Sequence, residues 1–233
     1  MVPDSANSEA AILGPNGVLE GASRGSAVID MSSIAPATSQ KLATACEAQG
    51  VDFLDAPVSG GEPGAVAATL AIMVGGKQVV FDQYHDLFSA MGSSIVLCGD
   101  YGAGNTTKLA NQIIVAANIE AVGEALTLAK KAGLDPRTVL EAIQGGLAGS
   151  TVLNAKGPMM IDGNFNPGFR IRLHHKDLNN ALITAQDLGV GLPVTGLVQQ
   201  MLTSLINDGK ADADHSAIAN FIENMSGTTI SGK

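Results

Sequence analysis

Gly102-Ala103-Gly104-Asn105-Thr106-Thr107-Lys108-Leu109-Ala110-Asn111-Gln112 is the stretch on which the reading of this chain turns. A glycine-rich turn feeds directly into a helix. Good helix formers run on to about Lys131, with no proline and one internal glycine, Gly123. Gly133 stands where a left-handed cap would end the helix, and Lys130 and Lys131 suit the negative end of its dipole. The segment is apolar nearly all round, which predicts burial on several sides. Lys108, Asn111 and Gln112 stand at i, i+3 and i+4 and so share one face. A lysine rarely enters a core unpaired. Two readings stand: a lysine that snorkels at the helix start, or an active-site lysine set among amides. The glycine entry and the amide neighbours favour the second. A free lysine amine titrates at about 10.4, and burial lowers that value towards the range useful for general acid–base work, a contribution of roughly 10²–10⁴-fold.

Working back towards the N-terminus, apolar runs alternate with helical patterns. Asp4 to Ala11 reads as a short capped helix, followed by a turn at Gly14-Pro15-Asn16-Gly17. Ala27 to Met31 has strand character, and Pro36 suits the first turn of a helix that Gly50 ends. Val51 to Ala56 is the next strand, broken by Pro57, and Ser59-Gly60-Gly61 reads as a loop. Leu70 to Val74 is a strand, Gln78 to Met91 a helix and Ser94 to Cys98 a strand. Beyond the long helix no strand-like alternation remains. Helical segments recur over 136–144, 152–160, 173–188, 194–207 and 216–224. The expected fold class is therefore α/β, partial Rossmann-like with a mainly parallel sheet, followed by an all-α domain, the long helix joining the two. The expected domains are 1–102 and 103–233.

The totals exclude several classes. With 233 residues, 45% of them hydrophobic and 15% charged, the chain can build a sizeable core. A net charge of −9 argues against nucleic acid and anionic membrane as partners. The two cysteines, Cys46 and Cys98, form no disulfide framework, suit a reducing compartment and read as core. The N-terminus lacks the basic and apolar regions of a secretory signal, and no uninterrupted apolar run reaches about 18 residues. A soluble, cytoplasmic protein is expected. His85, His174, His175 and His215 show no metal-ligand spacing, and no Gly-x-Ser-x-Gly elbow is present.

Three further stretches carry chemistry. Asp55-Ala56-Pro57-Val58-Ser59-Gly60-Gly61 ends a strand in a hydroxyl and glycine N–H groups, which suits a carboxylate as well as it suits an ordinary turn. Asp30-Met31-Ser32-Ser33-Ile34 lies at the carboxyl end of a strand, where open α/β sheets bind ligands. Its serines could equally cap the next helix. His174-His175-Lys176-Asp177 falls in the helical half and, alone, reads as a solvated face.

Taken together, in this order and spacing, these stretches resemble the β-hydroxyacid dehydrogenase family, of the 3-hydroxyisobutyrate dehydrogenase type. The likeness runs from Met1 to about Asn224. Asp55 to Gly61 is similar to the family's substrate signature and Gly102 to Gln112 to its catalytic signature. Ile29 to Pro36, Gly60 to Pro63 and Gly145 to Leu153 most resemble the branch that reduces tartronate semialdehyde (2-hydroxy-3-oxopropanoate). The resemblance implies NAD or NADP as cofactor, a small β-hydroxyacid or semialdehyde substrate and a homo-oligomer. Reduction of tartronate semialdehyde to glycerate, within glyoxylate metabolism, is the implied activity, with oxidation of 3-hydroxyisobutyrate as the alternative. It makes Lys108 the catalytic lysine, with Asn111 or Gln112 orienting the substrate. Ser59, Gly60 and Gly61 would hold the substrate carboxylate, and Pro3, Ser33 and Lys176 would contact the cofactor.

One departure stands out. The family begins with a βαβ unit carrying a Gly-x-Gly-x-x-Gly fingerprint, and these 233 residues contain none. Gly102-Ala103-Gly104 lacks the third glycine and opens a different helix. The expectation is that the first third to half of the cofactor domain is absent. The residue that would read the ribose 2′ position, and so separate NAD from NADP, goes with it. A non-catalytic fragment that self-associates through its helical half is the reading of another class.

Overall fold

A computed structural model describes residues 1–232, which fall into two compact units: Met1–Asn111 with Gln186–Leu188, and Gln112–Ala185 with 189–232. The division falls inside the long helix, whereas the sequence reading set the join at 102/103, where that helix starts. Nothing in a continuous helical pattern marks such a point.

The first unit runs α1 (Ser5–Leu13), α2 (Val18–Gly21), β1 (Ala27–Asp30), α3 (Pro36–Ala48), β2 (Asp52–Asp55), β3 (Val58–Ser59), α4 (Gly61–Val66), β4 (Leu70–Gly76), α5 (Gln78–Ser89) and β5 (Gly92–Gly99). Asp4 caps α1 by accepting from the Asn7 N–H at 2.9 Å, and Pro36 opens α3 where its missing N–H is harmless. β1 pairs with β2 in parallel, from Ala27 opposite Asp52 to Asp30 opposite Asp55. β4 and β5 are also parallel. The β2–β4 and β3–β4 pairings are antiparallel, so the sheet is mixed. The physical reason lies at Pro57. β2 and β3 lie along one edge of β4, interrupted at Ala56-Pro57, and the chain returns through the short α4 rather than a long crossover helix. Proline lacks a ladder N–H, but its carbonyl still accepts from the Met73 N–H at 3.0 Å.

Period-two alternation along β2 sends Phe53 and Leu54 into different cores. Phe53 packs with Ile12, Leu19, Ile34 and Leu42, and Leu54 with Ile72, Val74, Phe81 and Phe88. Cys46 lies fully inside the first of these clusters, and its burial pushes the thiol up to about 11. Cys98, read as core, is only half-buried, because β5 turns several residues to solvent. The elements α2, β3 and α4 were not foreseen. They span four, two and six residues, too few for any periodicity to register.

α6 (Ala103–Lys131) carries the chain into the second unit, which continues with α7 (Pro136–Ile143), α8 (Thr151–Asp162), α9 (Ile171–Leu188), α10 (Pro193–Asn207), a 3₁₀ turn at His215–Ile218 and α11 (Ala219–Ser226). Its core gathers Ile119 and Leu126 of α6 with Met160, Ile171, Leu178 and Leu202. By length and composition α6 is apolar enough to cross a membrane. It instead commits Ala116, Ile119, Val122 and Leu126 to this protein core.

Candidate active site

In the first unit the site is built around the start of α6. The Asp55 carboxylate, at the end of β2, accepts the Gly102 N–H through Oδ1 and the Asn105 N–H through Oδ2, each at 2.8 Å. It thereby satisfies amides that helix geometry leaves without partners. Asn105, fully buried, extends the tie. Its Oδ1 accepts the Ile34 N–H at 2.9 Å and its Nδ2 donates to Ser39 Oγ at 3.0 Å. One carboxylate and one amide thus lock β2, the loop after β1, α3 and α6 together. A side chain at Gly104 would drive its Cβ into the Met73 carbonyl and to 2.6 Å from that of Asp55. Glycine here lets the first turn of α6 rest on the sheet. Burial raises the Asp55 pKa against these N–H donors, and the charge of Asp30 raises it further.

Lys108 lies one turn beyond this lock and is only 6% exposed, while Asn111 is half-buried. Ser59 is half-buried at the end of β3. Gly60 and Gly61 are exposed and take φ values of +133° and +61°, which favour glycine. Exposed Pro3 and half-buried Ser33 lie on two segments stitched together. The Val2 N–H donates to Ser32 Oγ at 2.8 Å and the Ala35 N–H to Ser5 Oγ at 3.1 Å. Beside them, at the carboxyl end of β1, Asp30 accepts the Ser32 N–H through Oδ1 at 2.9 Å. Among the described residues its buried Oδ2 has no hydrogen-bond partner. Asp30 also lines a cleft of about 140 Å³ with Met1, Val2 and Ser8. A buried acceptor left open at a strand's carboxyl end fits the hydroxyl and amide donors of a dinucleotide.

In the second unit Gln112 is 4% exposed, and its Nε2 donates to Asp177 Oδ2 at 2.6 Å. Asp177 Oδ1 lies 3.0 Å from Lys176 Nζ. Asp177 therefore joins two of the residues singled out from the sequence. The neighbouring His174 is buried too: its Nδ1 lies 2.8 Å from His215 Nδ1 and its Nε2 3.1 Å from the Gln112 carbonyl. His175 faces Thr203 and Gln199, and burial lowers its pKa. The solvated-face reading of 174–177 is thus corrected, since His174 and Asp177 are 1% and 2% exposed.

Sequence reasoning missed Asp55 and Asn105 as the anchor of α6, and Asp177 as the link between Gln112 and Lys176. The available signal was a carboxylate ending a strand ahead of a Gly-x-Gly-Asn helix entry. The partners of Asp55 are main-chain amides 47 and 50 residues away, and main-chain amides leave no mark in a sequence.

A sheet flanked by helices, with an open buried acceptor at a strand's carboxyl end, is the arrangement that dinucleotide-dependent dehydrogenases use to bind their cofactor. Residues 102–222 match the family model described as the NAD-binding domain of NADP-dependent 3-hydroxyisobutyrate dehydrogenase. Residues 1–99 match that of the NAD binding domain of 6-phosphogluconate dehydrogenase. The 2-hydroxy-3-oxopropionate reductase of Escherichia coli K12 is 47% identical over 97% of this chain and 77% of its own length. The 3-hydroxyisobutyrate dehydrogenase of Pseudomonas aeruginosa is 34% identical over 94% of this chain and 74% of its own. Among solved structures, that of Mycobacterium tuberculosis 3-hydroxyisobutyrate dehydrogenase superposes with a TM-score of 0.86 at 30% identity, covering 95% of this chain and 77% of that one. The chain belongs to the NAD(P)-dependent β-hydroxyacid dehydrogenase family, of the 3-hydroxyisobutyrate dehydrogenase and 2-hydroxy-3-oxopropionate reductase type.

Proposed function

We propose that this protein reduces tartronate semialdehyde to glycerate, with Lys108 as the general acid. The observation that carries the reading is the 47% identity to the E. coli reductase, spread over 97% of the chain. Bound NAD(P)H supplies the hydride. Lys108, buried one turn into α6, gives a proton to the developing alkoxide and recovers it in the oxidative direction. Ser59, Gly60 and Gly61 hold the substrate carboxylate, which fixes the carbonyl relative to the lysine. Asn111 and Gln112 are the amides that orient it. Pro3, Ser33 and Lys176 are the residues that contact the cofactor, and the Asp30 carboxylate offers an acceptor in the first unit. The same reading makes the protein a cytoplasmic homo-oligomer, and light scattering of the purified chain tests the second part.

Two measurements test the activity. Fluorescence titration with NADH is expected to show micromolar binding. No binding by the folded chain would mean that residues outside these 233 are needed. Turnover of tartronate semialdehyde is expected to exceed that of methylmalonate semialdehyde, and the reverse order would favour a 3-hydroxyisobutyrate dehydrogenase. Lys108→Ala is expected to abolish turnover with the far-UV circular dichroism unchanged, and wild-type rates in that variant would remove Lys108 from the chemistry.

A further inference from the structure

The second unit buries two imidazoles face to face. His174 on α9 and His215 in the 3₁₀ turn are 1% and 6% exposed, and their Nδ1 atoms lie 2.8 Å apart. The other ring nitrogen of His174 lies 3.1 Å from the Gln112 carbonyl. A carbonyl only accepts, so His174 Nε2 carries a proton. In the neutral pair, His174 Nδ1 is then the acceptor and His215 Nδ1–H the donor. One added proton settles on the pair without breaking that bond, because the bridging hydrogen can belong to either ring. A second added proton would set two N–H groups against each other across 2.8 Å, so it cannot bind until the pair opens.

The surroundings of the pair are mostly uncharged. α6 and α10 present Ala116, Ile119, Val198 and Leu202. The edge of the Phe169 ring meets both imidazoles, at 5.7 and 5.4 Å between centroids. The titratable groups near the pair include Asp214, which precedes His215 and pairs with Lys156 of α8 at 2.9 Å, and on α9 His175, Lys176 and Asp177. His174 and Asp177, at i and i+3 on α9, both grip Gln112, one at its main-chain oxygen and the other at its side-chain amide.

We infer that His215 is a positioning residue that acts through His174. The pair fixes the register of α9 against Gln112, and with it the placement of Lys176, and it tolerates one added proton but not two. This rests on the reading of Gln112 and Lys176 as site residues.

Nitrogen-15 histidine NMR of the intact chain tests the proton count. The expected spectrum above neutrality has His174 as the Nε2–H form and His215 as the Nδ1–H form. On acidification the pair takes up one proton in a single step. The opposite tautomers, or two independent protonations in the folded chain, would overturn the inference. His215→Asn and His215→Leu test the positioning. An asparagine amide stands where Nδ1 does and still donates to His174, but it does not titrate, whereas leucine removes the donor. The Asn variant is expected to keep the wild-type Gln112 side-chain amide resonances and NADH affinity at pH 8. The Leu variant is expected to shift those resonances and weaken NADH binding at every pH. Identical behaviour of the two variants at pH 8 defeats the proposal. Should the chain not bind NADH, the Gln112 resonances carry the same comparison. An unchanged NADH affinity in Lys176→Ala would remove Lys176 from the cofactor site while leaving the tautomer result standing.

Discussion

Asp55 in the first unit and Asp214 in the second are both fully withdrawn from solvent, yet their acidities move in opposite directions. Asp55 is met by neutral N–H donors, and burial, aided by the like charge of Asp30, prevails over them, so its pKa rises. Asp214 suffers the same burial. It accepts from the Ser216 N–H and Oγ–H, from the Gly168 and Phe169 N–H groups and from Lys156, and it lies near the positive charge of His215. Its pKa falls to about 2. Depth therefore does not decide the charge state of a buried acid. The number of donors and the sign of the nearest charge do.

The contrast is open to test, the largest effect first. Asp214→Ala leaves Lys156 uncompensated and removes the acceptor of four further donors, the Gly168, Phe169 and Ser216 N–H groups and the Ser216 hydroxyl. It is expected to cost about 3–5 kcal/mol in urea unfolding. A loss under 1 kcal/mol would mean that Lys156 simply swings to solvent. Asp55→Ala strips the cap from α6 and is expected to cost less, about 1–3 kcal/mol, because only neutral amides lose a partner.

The pH responses should then differ in sign. A depressed pKa gives stability that is present above the unfolded value and lost as pH falls through the folded one. For Asp214 that window runs from 3.8 down to about 2 and is worth about 2 kcal/mol. Asp214→Asn should flatten this limb. A raised pKa works the other way, so the contribution of Asp55 is present below the ordinary carboxylate value and lost as pH rises through its own. Asp55→Asn should flatten a limb of opposite slope, and equal slopes for the two variants would erase the distinction. The smallest effect is expected at Glu120, pushed up to about 7 by burial and by the hydrogen bond and charge of Glu124 but only half-buried, so that solvent screens most of the shift's worth. Its contribution is lost as pH rises from 4.5 through about 7, so Glu120→Gln should be slightly more stable than wild type at pH 8 in the same assay.

The comparison also marks what the sequence could disclose. The long helix, the strand–helix alternation before it and the helical half after it were legible because 3.6- and 2-residue periods extend over enough residues to register. Lys108, Asn111 and Gln112 were legible as a face for the same reason. The reversal of β4 was not, since strands of four and two residues carry no direction in their pattern. The Asp55–Asn105 lock and the His174–His215 pair were hidden for another reason. Each joins residues 41 to 71 positions apart, and one side of several of these bonds is bare backbone. Asp177 lies in a stretch legible in the sequence, but its bond to Gln112 spans 65 positions.

The placement of Tyr101 beside Phe53, with its hydroxyl on Glu47, gives the chain an optical asymmetry. There is no tryptophan, and the two tyrosines, Tyr84 and Tyr101, both belong to the first unit. Three of the four histidines, His174, His175 and His215, belong to the second. Tyrosine emission therefore follows the melting of one unit while the imidazole proton signals of His174, His175 and His215 follow the other. Coincidence of the two curves in one denaturant series would report whether the chain melts as a single cooperative body.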